Sequence, residues 1–304
     1  MNPPEITVVT PTFNRAHTLQ RAFDSLLNQS FQDFKWIIMD DGSTDNTNQL
    51  VQNFKEKSPF EIDYYYNLNK HKFHTVFEGI EKVKSPYFII LDSDDSYPKD
   101  AFQILIDEIE KIPNPEKYIA VMGLSGDDDG KVVGDEYPNG GFDGTIFEMR
   151  YQHKVKGDKN GLFLTKSYQK ELSLFDYSQI PSGIYIPQSV FFNIYDAKGL
   201  KTRFINKIIR NYHKDENDAA SVSNTRWSGK NRIGLMMGHL SFLNNYGKQL
   251  GKYPKALIRN LVGYHLYSYA NGKSMKEINQ DLNYFKTIST LMAPFSFLYY
   301  KIKL

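Results

Sequence analysis

The chain of 304 residues contains no cysteine, which removes disulfides and thiolate metal sites and suits a reducing compartment. No window supplies the ~20 consecutive apolar residues of a transmembrane helix. The opening MNPPEITVVTPTF has neither a basic n-region nor a long apolar h-region, so it is not expected to be a signal peptide. No G-x-G-x-x-G follows the first apolar run, so a dinucleotide fingerprint is missing. GKS at Gly272–Ser274 resembles the end of a P-loop, but the position of the first motif glycine is Tyr267. No His-x-x-x-His pair points to zinc, and no RNP, helix-turn-helix or finger signature points to nucleic acid. Internal repeats are missing as well.

What is present is unevenly charged. The formal net charge of +2 hides a tail, Thr225 to Leu304, with twelve Lys or Arg and two acids. The preceding residues carry 25 bases and 33 acids, a net of about −8. An acidic body with a basic, aromatic-rich tail fits a solvated helical surface. It also fits docking on an anionic membrane. The expected location is therefore cytoplasmic, peripheral on the inner face of the cell membrane.

Strand-like and helix-like patterns alternate. Glu5–Thr10, Phe34–Met39, Ile62–Tyr66, Phe88–Leu91 and Tyr118–Gly123 are short β-rich runs. Between them, apolar residues recur at helical spacing, as in Leu19, Phe23, Leu26 and Leu27. Ser43 or Thr44 is expected to cap the second helix, and Pro98 to sit in the first turn of a later one. The pattern predicts an α/β unit with a mostly parallel central sheet flanked by helices. In such sheets ligands bind beyond the carboxyl ends of the strands. Those ends here read PTFNR, DDGS and DSDD. Ser125–Gly144 reads as a loop or hairpin, and Asp127–Asp129 as a solvated turn rather than an EF-hand. Leu162–Thr165, Gln188–Tyr195 and Thr202–Tyr212 read as strand, helix and strand. A basic helical extension runs from about Arg232, giving two expected domains, 1–224 and 225–304.

The stretch FIILDSDD drives an apolar run into Asp92, Asp94 and Asp95. Alternate residues of an extended segment face the same side, so Asp92 and Asp94 can offer paired oxygen ligands. Oxygen donors suit Mg²⁺ or Mn²⁺. Taken alone the pattern also fits an Asx-turn, with Asp95 or Ser96 capping the helix that follows.

TVVTPTFNRAHTLQRAFDSLLNQSFQDFKWIIMDDGSTDNT, followed by KFHTVFEGIEKVKSPYFIILDSDD, closely resembles family 2 glycosyltransferases of the GT-A fold. Weaker similarity continues through GDKNGLFLTKSYQKE, IPSGIYIPQSVFFNIYD and FINKIIRNYH, as in bacterial members that assemble surface polysaccharides. The resemblance implies that Thr10, Pro11, Thr12, Asn14 and Arg15 form the first nucleotide-contacting loop. It implies that Asp41, beside Asp40, reads the base and ribose of a nucleotide sugar, with His74 and Thr75 in a donor-contacting stretch. Lys72 and Phe73 stand where that stretch usually has Gly and Lys. Asp92, Ser93 and Asp94 match the D-x-D motif, with Asp94 binding Mn²⁺ or Mg²⁺ most directly, and His213 matches a further metal ligand. The implied reaction is inverting transfer from a nucleotide sugar, UDP-linked by expectation, to a glycan or lipid-linked acceptor. The metal and Arg or Lys side chains stabilise the leaving diphosphate while a carboxylate base takes the acceptor proton.

One position departs from the pattern. Relatives usually carry Glu after the proline of the segment IPQS, and this chain has Gln188. An amide can orient a hydroxyl but cannot take its proton. Either a nearby acid such as Asp158 or Asp176 serves as base, with Asp158 preferred, or the alignment is off, or the chain binds nucleotide sugar with weak or no transfer. Asp158 also fits a plain turn residue beside Gly157. A sugar nucleotidylyltransferase on a similar fold is disfavoured, because the opening loop is not Gly-rich.

Overall fold

The computed structural model describes residues 3–213 and 231–303. The expected domain boundary between 224 and 225 lies outside the described residues. The chain divides into two compact units, Met1–Gly183 with Gly199–Asp215, and Ile184–Lys198 with Glu216–Leu304.

The first unit is built on an eight-stranded sheet. Its strands are β1 (Ile6–Thr12), β2 (Phe34–Asp40), β3 (Ile62–Tyr66), β4 (Tyr87–Ile90), β5 (Tyr118–Gly126), β6 (Gly141–Gly144), β7 (Lys159–Leu164) and β8 (Lys201–Asn211). The order is β3-β2-β1-β4-β7-β5-β8-β6. β3, β2, β1 and β4 run parallel, as do β5 and β8. β7 lies antiparallel between β4 and β5, and β6 runs antiparallel to β8. Helices α1 (Ala16–Leu27), α2 (Thr47–Lys57), α3 (Lys72–Glu81), α4 (Ala101–Glu110) and α5 (Thr165–Ser173) connect and cover the strands.

Local sequence explains these elements. Every residue of β1 is buried, as parallel strands covered on both faces require. α1 buries Leu19, Ala22, Phe23 and Leu26, the i, i+3, i+4, i+7 stripe of one helix face. Phe23 stacks on Phe54 of α2 at 4.2 Å and on Trp36 of β2 at 6.2 Å. Burying each such aromatic contributes about 1.5–3 kcal/mol. Gly79 lets α3 lie close on the sheet, since a Cβ there would fall 2.7 Å from Val9 Cγ1.

Two helix starts differ from expectation. α2 begins after Asn46 and α4 after Asp100, neither with a side-chain cap. Ser43 and Thr44 are instead engaged by Asn14, and Asp45 accepts from the Thr47 backbone at 3.0 Å. Pro98 sits in the turn before α4, its carbonyl accepting from Ala101 N at 3.0 Å.

The second unit contains α6 (Ser189–Ala197), α7 (Arg232–Leu250), α8 (Pro254–Ala270), α9 (Met275–Asp281) and α10 (Lys286–Lys303). Gly234 of α7 allows backbone contact with the segment before α6: a Cβ there would lie 1.8 Å from the Tyr185 carbonyl oxygen. Tyr246 donates to Asp196 at 2.6 Å, and Asn193 to Ser241 at 3.3 Å, which ties α6 to α7. α10 packs on α8 and α9. Among the described residues, no helix is long and apolar enough to cross a membrane.

Candidate active site

β1 lies between β2 and β4, and all three run parallel, so their carboxyl ends open on one rim. Pairing between β1 and β4 ends at Val9 and Ile90, while β1 stays with β2 to Thr12 and Asp40. The missing N–H of Pro11 falls where β4 has already left the ladder. In open α/β sheets ligands bind where adjacent strand ends part in this way.

On the β2 side the acids are met by neutral donors. Asp40 accepts from Ser43 N at 2.7 Å and Tyr64 OH at 2.6 Å. Asp41 accepts from Lys70 N at 2.8 Å and Thr75 Oγ1 at 2.7 Å. Burial pushes the Asp41 pKa above the usual carboxylate range despite these bonds. Gly42 turns the chain at φ +89°, where a Cβ would press within 3.1 Å of Asn69 N. Asn14, itself in the left-handed region at φ 53°, staples the β1 loop to this turn. Its N–H donates to Ser43 Oγ and its Oδ1 accepts from Thr44 N, both at 2.8 Å. Arg15 is buried at the start of α1. Thr10 is occupied in the core, where its hydroxyl accepts from Trp36 Nε1 at 2.8 Å. Thr12 is buried at the register position opposite Asp40. His74 turns to Pro181, donating to its carbonyl at 3.3 Å, and packs beside Tyr177.

On the β4 side the acids are met by cations. Asp92, Asp94 and Asp95 bring carboxylate oxygens within 4.8 Å of one another, and Ser93 is buried between them. Lys72, from the first turn of α3, places Nζ 2.6 Å from Asp92 Oδ1. Arg21 of α1 donates to the Asp94 carbonyl at 2.5 Å, fixing the loop backbone. Asp95 is buried against Arg210 of β8 at 3.2 Å. Burial first, and then the nearby charges of Asp92 and Asp94, raise its pKa against the opposing Arg210. A hydrogen-bonded pairing of Ser96 with Asn211 brings the end of β8 to this loop.

β8 also brings His213 here, but both ring nitrogens are engaged. Nε2 meets Ser96 Oγ at 2.9 Å, and Nδ1 meets Asp128. Among the described residues, the acidic group is completed by Asp95 rather than by this histidine. Asp158 is exposed, with Oδ2 2.8 Å from Arg210 Nη2. Desolvation works against its charge, but Arg210 and Lys72 prevail and hold its pKa below the usual range. Asp176 caps a short turn by accepting from Ser178 N at 3.2 Å. Gln188 belongs to the second unit and precedes α6, its carbonyl accepting from Phe191 N at 3.0 Å. Lys72, Arg21, Arg210 and Tyr64 were not singled out by motif. For Lys72 the only signal was its place in a stretch that departs from the family pattern. For Arg210 it was proximity to His213 in RNYH.

The family model described as glycosyl transferase family 2 matches residues 7–170. The chain belongs to glycosyl transferase family 2. It is 25% identical over 252 residues to a GalNAc(5)-diNAcBac-PP-undecaprenol beta-1,3-glucosyltransferase of Campylobacter jejuni, covering 78% of this chain and 72% of that one. It is 23% identical to the glycosyltransferase GlyA of Streptococcus pneumoniae, over 89% of this chain but only 38% of that one. TarS 1-349 of S. aureus, solved with UDP-GlcNAc, superposes with TM-score 0.54 at 16% identity, covering 91% of this chain and 84% of that one. A mannosyltransferase of Pyrobaculum calidifontis, solved with GDP-Man and Mn²⁺, superposes with TM-score 0.53 at 13% identity, over 99% and 84%. At these identities the structural likeness establishes the fold, which is GT-A. This family 2 glycosyltransferase thus has the expected α/β architecture, with its acidic motifs at the expected strand ends.

Proposed function

We propose that this enzyme transfers a sugar, with inversion, from a UDP-sugar to a glycan or lipid-linked acceptor in surface-polysaccharide synthesis. The observation that carries the reading is the three-carboxylate group of Asp92, Asp94 and Asp95 beside the Asp41 turn, across the end of β1. The family and a relative named for an undecaprenol-linked substrate support it. We further propose that residues 225–304 form a separate basic domain that keeps the enzyme at the inner membrane face.

The donor set fits a hard divalent ion: all oxygen, clustered, and already drawing Lys72 and Arg210 as counter-charges. Asp92 and Asp94 would hold Mn²⁺ or Mg²⁺, which when bound offsets charge on the diphosphate. Asp41 retains acceptor capacity for a base N–H or a ribose hydroxyl. Thr75 and the Lys70 N–H hold it in place, and Asn14 and Arg15 shape the facing loop. Lys72 Nζ, beside Asp92, can turn onto a phosphate oxygen.

On the acceptor side we retain Asp158 as the proposed base; an amide such as Gln188 can orient a hydroxyl but cannot take its proton. The pairing with Arg210 lowers the proton affinity of Asp158, so transfer is expected to be slow. That ion pair and Gln188 together favour the second reading, nucleotide-sugar binding with little transfer. UDP with Mn²⁺ should raise the thermal midpoint, and Asp94→Ala should abolish the rise; a native chain that shows no rise sinks both readings. Asp158→Asn separates them, since a true base loses about 10²–10⁴ in turnover. Gln188→Glu raising turnover would identify a lost base.

A further inference from the structure

Helix α10 is built inside out. Towards α8 and α9 it turns serine and ring edges. Ser289 is buried, accepting from His265 Nε2 at 2.8 Å and donating to Asn279 Oδ1 at 2.9 Å. Ser296 is buried too, and Phe297 and Tyr300 pack on Tyr269. Away from the unit it turns its largest apolar residues. Leu291 is 70% exposed, Phe295 77%, Leu298 62% and Ile302 72%. Ile288 and Tyr299 are exposed beside them, and Met292 is half-buried. At about 100° per residue all seven fall within about 60° either side of Phe295, a single stripe. A contiguous exposed apolar stripe rimmed by polar residues marks a protein or membrane interaction site.

We infer that the α10 stripe inserts into the interfacial region of an anionic bilayer, lying parallel to its surface. Charge selects the bilayer over a second copy of the chain. α10 contains Lys286, Lys301 and Lys303 and no acid. The whole tail from Thr225 has only Glu277 and Asp281 as acids, and both are engaged within the unit. Glu277 closes the capping box at Ser274, and Asp281 pairs with Lys273 at 2.5 Å. Two such tails repel one another, whereas an anionic headgroup layer attracts each. An apolar stripe with lysines at its ends is the chemistry of an interfacial helix. The inference rests on the membrane location proposed above but not on the transfer chemistry, and its test needs no turnover.

The full chain is mixed with vesicles of equal parts phosphatidylglycerol and phosphatidylcholine, and flotation is compared with pure phosphatidylcholine. Binding to the anionic vesicles, weakening with salt, is expected. The triple variant Leu291→Ser/Phe295→Ser/Leu298→Ser should lose about tenfold or more in partitioning, with the UDP thermal shift retained. In the single variant Phe295→Trp, the added emission should move to the blue on anionic vesicles. Unchanged flotation of the triple variant overturns the inference. So does a Phe295→Trp spectrum indifferent to vesicles. A native dimer that the triple substitution dissociates, without vesicle binding, also overturns it and assigns the face to a second copy.

Discussion

Two pairs of acids flank β1, and they are stabilised in opposite ways. Asp40 and Asp41, at the end of β2, are surrounded by backbone N–H groups and hydroxyls. Asp92 and Asp95, after β4, are surrounded by Lys72 and Arg210. Neutral donors orient a carboxylate without cancelling its charge, so Asp41 remains an anion directed by its neighbours. Cations cancel the charge, so the β4 group behaves as a site already balanced by positive groups that another cation can replace. The first arrangement suits reading the hydrogen-bond donors of a base or ribose, and the second suits exchanging a side-chain cation for a metal and a diphosphate.

The largest way to break this contrast is to remove Arg210. Its guanidinium, itself buried, serves Asp95, Asp158 and Ser125 together. Arg210→Ala strips buried Asp95 of its cation, a loss of up to about 3–5 kcal/mol in stability that shrinks as Asp95 takes up a proton. For a unit of this size that is roughly a 10 °C drop in thermal midpoint. Arg210→Lys should recover only part, because an ammonium cannot reproduce the fork. A midpoint within experimental error of the native chain would show that Asp95 does not depend on its cation.

Asp94→Ala should do the reverse: little change in stability and a large change in function. The loop contact made by Asp94 is through its carbonyl to Arg21, which alanine keeps. Transfer should fall by about 10²–10³, the scale of losing one electrostatic contact in an active site. Chelation of divalent ions from the native enzyme should match that loss. Equal activity of the variant would take the β4 group out of the reaction.

On the β2 side the sign of the stability effect reverses. Burial raises the Asp41 pKa, so its charged form is less favoured in the folded state than in the unfolded one. The stabilisation from a raised carboxyl pKa is full below the ordinary value and is lost as pH rises through the folded one. Near neutral pH the buried charge is therefore a net cost. Asp41→Asn keeps an oxygen to accept from Lys70 N and Thr75, and it should hold or slightly raise the thermal midpoint, by under about 1 kcal/mol. UDP affinity should nonetheless fall about tenfold, because an amide is a weaker acceptor than a carboxylate. Calorimetry of UDP binding with a melting curve at each pH tests both halves.

Much of this rim was legible before the structure. Thr-Pro-Thr, Asp-Asp-Gly and Asp-Ser-Asp-Asp each close a β-rich run, and parallel strands put such closures on one side. The glycine of the second, Gly42, stands at φ +89°, where another side chain would be strained. What could not be read were the partners. Lys72 and Asp92 meet because α3, packed on β1, begins beside the loop after β4, and Arg210 reaches Asp95 because β8 pairs with the residue after it. Neither contact leaves a trace in spacing or periodicity. Antiparallel insertion of β7 between β4 and β5 was equally silent, since a short buried strand carries no mark of its direction. The cap reading at Ser43 or Thr44 failed for a related reason: Asn14, from the loop after β1, engages both residues first.

The smallest effect tests the contrast most directly. Lys72 and Asp92 are each about a third exposed, so their ion pair contributes no more than about 1 kcal/mol to stability. Lys72→Met should thus leave the melting temperature nearly unchanged. If Lys72 is a stand-in cation, the variant should bind Mn²⁺ a few-fold more tightly without nucleotide, because Asp92 no longer has a competing partner. If the lysine then turns onto the diphosphate, the same variant should bind UDP-sugar less well once Mn²⁺ is saturating. Opposite shifts in the two titrations would establish an exchangeable cation. Mn²⁺ affinity that stays constant while UDP-sugar affinity falls would make Lys72 a donor contact only, and the β4 acids would then differ from the β2 acids in degree rather than in kind.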